Sequence, residues 1–353
     1  MLTPCLSHEY SVGPKVIPTA ANPHALTNDH LPVTLGHEFC GHLAHVPDGA
    51  ITADGTPLEE GMPVMVDPRL NCHSCHPCKS QSTNLCTSWG FLGLHGAGGG
   101  GFSETVAVSS RMCYPLPKDM PLDHAVLVEP LAVARHALVK SGYAMGDFKD
   151  LNVLVIGGGP VGFAVLCNIH ATGGAKNLFI SEPAAARQKL VKSYATRVFN
   201  PAPASGQTKV PDACRAATGG EGVDLVFDCA GIPPGMRDGF SALKPKGTFV
   251  NVAGWETDFV IPFGEFMGKE ITIRSTLAYD DKDFGDVVRD FVAGKFKGVE
   301  AMLTARISLE DIVDEGFEQL VNNKEEHSKI IVTPKTELLP RKRRNTGERV
   351  NGT

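Results

Sequence analysis

The sequence predicts an α/β protein: a doubly wound parallel sheet joined to a second, β-rich domain. Three observations carry this. From about residue 125 onward, short apolar β runs alternate with helical patterns, as in a parallel sheet covered on both faces. One of those runs ends in a G-x-G-x-x-G turn that opens a helix. Ahead of it, residues 36–115 carry short strand-like runs broken by Gly, Pro and Cys, without helical period.

Taken in order, residues 1–35 are rich in Pro, Asn and His and show no period. MPVMVD (62–67) and FSETVAV (102–108) read as strands, and the glycine run Gly96–Gly101 between them and the cysteines reads as a mobile loop. AVLVEPLAVARHALVK (125–140) has the 3.6-residue period of a helix. Then come strand LNVLVIG, helix PVGFAVLCNIHAT, strand NLFISE, helix AAARQKLVKSY, strand VDLVFDCAG, helix PGMRDGFSALK and strand GTFVNVAG. ITIRSTLAY, the helix KDFGDVVRDFVAG and a closing strand KIIVTP complete the chain before its tail. The expected division is 1–128 for the β-rich domain with a cysteine lobe at 70–90, 129–271 for the dinucleotide domain, 272–335 for the end of that sheet and the return to the first domain, and 336–353 for a basic tail.

Composition removes several function classes. The chain carries 42% hydrophobic and 20% charged residues, a formal charge of −6 and a pI near 6.1. Nothing there draws the whole molecule to nucleic acid or an anionic membrane. No apolar run reaches the ~18 residues of a spanning helix. No secretory pattern opens the chain, so a cytoplasmic location is expected. Arg341, Lys342, Arg343 and Arg344 form a short basic run, read as a solvated tail and not as a nucleic-acid patch.

The dinucleotide turn is Gly157-Gly158-Gly159-Pro160-Val161-Gly162. Gly157 makes the tight turn, Gly159 lets the backbone approach a pyrophosphate, and Gly162 lets helix and strand pack closely. The helix start at Pro160 and Val161 offers N–H groups and a positive dipole end. Twenty residues after Gly162 stands Glu182, at the end of the next strand. A carboxylate there accepts from both ribose hydroxyls and repels a 2′-phosphate, which favours NAD over NADP. Arg187 stands near enough in sequence to stack by the adenine or to pair with Glu182. The competing reading has Glu182 capping the next helix and Arg187 at the surface.

Ten cysteines are present, four of them inside fifteen residues: Cys72, Cys75, Cys78 and Cys86, spaced C-x2-C-x2-C-x7-C. Four thiolates on one loop can close a tetrahedron round Zn²⁺ with no open position, a structural site. An iron–sulfur cluster or a redox pair is the alternative. His73 and His76 are superfluous to a complete four-cysteine set and read as surface residues.

Two further motifs, LGHEF with His37 and Glu38 and LVEPLAV with Glu129, complete a pattern. With the cysteine lobe through SWGFLGLHGAGGGGFSE and VEPLAVARHA through GGGPVG, the chain resembles the zinc-dependent medium-chain alcohol dehydrogenase family over roughly residues 8–335. Within it the similarity is greatest to the butanediol dehydrogenase branch, with sorbitol dehydrogenase next. The resemblance implies a Rossmann domain and a GroES-like catalytic domain that is incomplete at its N-terminus, since some forty residues found in the family have no counterpart. It implies oxidation of a secondary alcohol or vicinal diol to the ketone, and the reverse, by zinc-assisted hydride transfer to NAD. A thiolate, His37 and a carboxylate would hold a catalytic zinc, with Glu129 as ligand or near-ligand, and Glu38 would tune the metal or exchange with water. Cys229-Ala230-Gly231, Val252-Ala253 and Thr276-Leu277 would line the nicotinamide pocket.

The family pattern C-G-x-D-x-H-E-Y is altered here: its histidine matches His8, but Thr3 stands five residues earlier and Cys5 only three. Either Cys5 reaches the metal after a two-residue deletion, or it occupies the proton-relay position and the ligand is absent. His8 carries over as a proton shuttle. The second reading of the chain is therefore an NAD-binding, catalytically impaired relative that keeps only the structural zinc. The family also implies a homo-oligomer, a dimer or tetramer, with ITIRSTLAY near a joined sheet edge.

Overall fold

In a computed structural model the described residues are 19, 21–95, 99–202, 208–323 and 326–334; Cys5, His8 and the basic run 341–344 lie outside them. The first domain is built on a three-stranded antiparallel sheet. Strand β1 (Cys40–His42) pairs with β2 (Pro63–Val66), which pairs with β5 (Cys113–Pro115). Phe39, Val64, Val66, Leu92 and Cys113 are buried beneath it. A short antiparallel pair, β3 (Arg69–Leu70) and β4 (Gly90–Phe91), closes the base of the cysteine lobe.

Residues 102–108 form no strand. Val106 and Val108 do pack against the first-domain core, so the apolar alternation is used for burial. The backbone there finds no ladder: Gly101 N–H donates to Gly36 O at 2.7 Å and Phe102 N–H to Leu35 O at 2.9 Å, which ties the entry of the segment to a loop. The described part of the glycine run is equally unlike a mobile loop. A Cβ on Gly100 would meet Thr34 O at 2.3 Å, and one on Gly101 would meet Phe39 Cβ at 2.6 Å. These glycines let two backbones touch.

The second domain holds six parallel strands in the order β11-β10-β9-β6-β7-β8. They are β6 (Asn152–Ile156), β7 (Asn177–Ser181), β8 (Arg197–Phe199), β9 (Val223–Asp228), β10 (Leu243–Asn251) and β11 (Thr272–Ser275). Every residue of β6 and β9 is buried, as expected of strands covered on both faces. The helices Val128–Lys140 and Pro160–Ala171 pack on one face, with Leu131, Ala134, Phe163 and Leu166 fully buried. Phe240, Ala242 and Phe249 belong to the core on the other face. The strand order reverses between β6 and β9, where Ile156 and Asp228 stand side by side. In sheets of this kind ligands bind at that switch point, outside the carboxyl ends.

A last parallel pair, β12 (Leu303–Ser308) and β13 (Lys329–Thr333), packs through Ile307 and Ile330 against Leu35 and Phe102 of the first domain. The chain thus returns to where it began, and Lys329 arrives beside Glu38.

Candidate functional site

The dinucleotide turn is built as the sequence reading expected. Gly157 has φ +93°, and a Cβ on Gly162 would lie 1.9 Å from Gly157 O, so neither position accepts a side chain. Gly159 differs. A Cβ there would stand in open space, its nearest neighbour being Arg187 Nη1 at 3.9 Å. That is the space a pyrophosphate would take, with Gly159 as N-cap and Pro160 opening the helix Pro160–Ala171. Glu182 is buried; its Oε2 accepts from Gly158 N–H at 2.6 Å and its Oε1 from Ala184 N–H at 2.8 Å. Its two oxygens thus tie the glycine turn to the chain entering the helix Ala185–Val191.

Across the switch point, Asp228 ends β9 with 0% exposure. Its Oδ1 accepts from Ala230 and Gly231 N–H, each at 3.1 Å, and its carbonyl accepts from Val252 and Ala253 N–H at 2.9 and 3.0 Å. One residue therefore holds both expected nicotinamide loops, 229–231 and 252–253. Oδ2 finds no partner, and burial raises the carboxyl above its ordinary range despite the two N–H donors. Cys229 N–H donates to Ile156 O at 2.9 Å, and burial pushes its thiol far up.

The four lobe cysteines converge, their sulfurs all within 4.8 Å of one another. A tetrahedron with ~2.3 Å bonds would place them just under ~4 Å apart. Hydrogen bonds from Ser74 and Cys75 hold Cys72 down to about 5, whereas burial and neighbouring thiols push Cys78 up to about 12. Four sulfurs this close, with no disulfide among them, fit a metal of thiolate preference. His73 and His76 are exposed, as expected of residues outside the set.

His37, Glu38 and Glu129 form the second cluster, with one ligand-capable atom from each within 4.8 Å of the others and all three buried. Gly36 (φ +100°) shapes the turn, because a Cβ there would meet Phe102 N at 2.9 Å. The His37 ring stands edge-on to Phe91, with centroids 5.7 Å apart, and its buried Nδ1 has no hydrogen-bond partner. Burial first, and then Lys329, lower His37 to about 4, which leaves a neutral imidazole with one ring nitrogen able to act as a lone-pair donor. Glu129 lies in the first turn of Val128–Lys140, where the helix dipole favours a carboxylate. Burial and the charge of Glu38 outweigh this and raise it to about 8. An orphaned imidazole nitrogen and a carboxyl short of positive charge are what a divalent cation would satisfy.

Three participants carry no sequence motif. Lys329, 1% exposed, donates to both Glu38 oxygens at 2.6 and 2.7 Å, across 291 residues of chain. Tyr279 is fully buried, and burial, then the neighbouring Glu129 carboxyl, carries its hydroxyl far above its ordinary range. Its ring packs on Phe91 and Phe284. Arg69 stacks over Tyr279, 4.7 Å from the ring centroid, and pairs with Asp67 and Asp281.

Residues 160–293 match the family described as zinc-binding dehydrogenase, and residues 11–118 the alcohol dehydrogenase GroES-like domain. The chain is 33% identical to the (R,R)-butanediol dehydrogenase of Neisseria gonorrhoeae over 93% of its own length and 88% of that protein's. It is 31% identical to a probable diacetyl reductase of Saccharomyces cerevisiae, covering 93% of this chain and 80% of the relative. The crystal structure of 2R,3R-butanediol dehydrogenase from Bacillus subtilis superposes with a TM-score of 0.81 at 32% identity, covering 93% and 88%.

Proposed function

The chain belongs to the zinc-binding alcohol dehydrogenase family, and from that premise we propose that it oxidises a secondary alcohol or vicinal diol of the 2,3-butanediol kind with NAD, and runs the reverse reduction. The observation that carries this is the buried meeting of His37 and Glu129, with His37 Nδ1 lacking any partner. In this reading His37, Glu129 and Cys5, which lies outside the described residues, hold the catalytic zinc, while Cys72, Cys75, Cys78 and Cys86 hold the structural one. Bound zinc supplies a Lewis acid that favours the deprotonated form of an alcohol. The nicotinamide supplies the hydride acceptor.

The chain's own residues do the rest. Lys329 holds the Glu38 carboxylate by both oxygens, so this acid tunes the charge of the site from beside it. Tyr279 braces Glu129. Asp228 fixes the loops on which the nicotinamide ring would rest. Glu182 and Arg187 take the adenosine side, and the buried Glu182 carboxylate supports NAD over NADP. His8 relays the released proton toward solvent.

A homodimer is part of the reading, joined along the edge strand β11. Three of the four β11 residues are exposed, and Val260, Phe263 and Met267, in the segment leading into that strand, are 72%, 65% and 62% exposed. A reducing compartment, the cytoplasm, suits nine described cysteines of which none forms a disulfide. Among the described residues no helix is long and apolar enough to cross a membrane.

Native mass spectrometry of the purified chain, with a spectrophotometric assay on butane-2,3-diol, tests this. The expected result is two zincs per chain and reduction of NAD in preference to NADP, with His37→Ala falling to one zinc and no turnover. One zinc in the unmodified chain and no turnover would favour the impaired relative instead.

A further inference from the structure

The cysteine lobe does more in this fold than close on its own metal. Between Cys78 and Cys86 the chain makes a short 3₁₀ turn, Thr83–Leu85. Thr83 and Asn84 in that turn are buried, at 5% and 4% exposure, although Leu85 beside them is 54% exposed. The lobe has no core of its own, so its shape depends on what its thiols bind. Its buried tip is inserted into the other domain.

The contacts at that tip lead to the catalytic cluster by two routes. Thr83 Oγ1 donates to Asp281 Oδ1 at 2.8 Å and accepts from Arg69 Nη1 at 3.0 Å; the same Arg69 nitrogen donates to Tyr279 O at 2.7 Å. Asn84 Nδ2 donates to Leu277 O at 2.8 Å, so the chain on both sides of Tyr279 is held from the lobe. The second route runs through His136, whose Nε2 lies 3.3 Å from Asn84 Nδ2 and whose Nδ1 is held at 2.5 Å by Asp283. His136 stands two turns beyond Glu129 on the helix Val128–Lys140. One route thus ends on the tyrosine against Glu129 and the other on the helix that carries Glu129. Cys86, two residues after Asn84, accepts from Cys72 N–H at 3.2 Å, so the last thiol of the set fixes the end of the turn.

We propose that the cysteine lobe is an interdomain clamp, and that Thr83 and Asn84 are positioning residues through which the filled lobe sets Tyr279 and Glu129 in place at the catalytic cluster. The clamp rests on the preceding reading of that cluster as a zinc site. A lobe without its metal would release the 3₁₀ turn, and with it the segment 277–281. The catalytic centre would then lose its brace without losing a ligand. Outer partners of this kind are worth about ten- to hundredfold in metal affinity.

The experiment follows zinc release from the fully loaded chain to a chromophoric chelator. In the unmodified protein two phases are expected, the catalytic one identified by its absence in His37→Ala. In Thr83→Val/Asn84→Ala the catalytic phase accelerates about tenfold, the cysteine-lobe phase is unchanged, and kcat falls while KM for NAD holds. Thr83→Ser, which keeps the hydroxyl, stays within about twofold of the unmodified rate. Should the double variant not fold, the isosteric Thr83→Val alone decides, with a smaller acceleration in the same phase. A catalytic phase unchanged in the variants, or acceleration of the lobe phase alone, would overturn the clamp. A single phase in the unmodified chain would overturn the two-zinc reading itself, and the clamp with it.

Discussion

Asp228 ends its strand with a carboxyl that no water reaches, and its titration is a direct probe of the cofactor side of the site. Burial raises its folded pKa above the ordinary 3.8. Below pH 3.8 both folded and unfolded chains hold the proton, and burial of the group costs nothing in charge. As pH rises through the folded value, the unfolded chain has already ionised, and the folded chain loses stability relative to it. Asn at this position keeps the Oδ1 acceptor for Ala230 and Gly231 and never ionises. The melting temperature of Asp228→Asn minus that of the unmodified chain is therefore expected to grow from near zero at pH 4 to a positive value at pH 7; a flat difference would contradict this account. At this scale legibility in the sequence was uneven. That His37 meets Glu129 and that the four lobe cysteines converge was readable, because those residue types stand in motifs that recur together. Lys329, Tyr279 and Arg69 were not, because a buried lysine and an exposed one have the same neighbours in sequence. What makes Lys329 unusual is Glu38, brought to it only by the fold.

Elements were more legible than residues, and the glycine turn shows why. Three glycines in one motif do different work, and substitution separates them. Gly162→Ala drives a methyl into Gly157 O and is expected to cost about 3 kcal/mol or more in chemical denaturation. Gly159→Ala meets open space at φ −70°, which alanine adopts freely. Its stability should change by less than about 1 kcal/mol, while NAD affinity measured by calorimetry falls at least tenfold. Equal damage to stability at the two positions would remove the distinction. The parallel strands and their helices were read from periodicity because both faces are buried, which leaves continuous apolar runs. Segment 102–108 misled for the same reason: its apolar alternation is real, but the partner backbone it needed for a ladder is replaced by the Gly36 loop. Strand β8, strand β12 and the helix Val210–Ala217 went unread. Two of them are short or half exposed, and the third lies at the domain return, where long-range pairing rather than local pattern decides.

For the whole molecule, the edge of the six-stranded sheet is where the proposed dimer would join. β11 has a neighbour on one side only among the described strands, and the segment just ahead of it in sequence exposes Val260, Phe263 and Met267. Phe263→Asp with Met267→Asp is expected to convert a dimer to monomer in sedimentation velocity without lowering the zinc content; a monomeric unmodified chain would sink the assembly reading. Lys329 has a consequence at this scale that concerns synthesis. Glu38 is made early, and the ammonium that neutralises it is made 291 residues later. Until then the nascent first domain carries a carboxylate that cannot be buried cheaply, so its interior stays hydrated and unfinished while the dinucleotide domain, contiguous in sequence, is free to fold. The two domains are therefore expected to gain protease resistance during translation in the reverse of the order in which they begin, and ribosome-bound chains cut short before Lys329 test this.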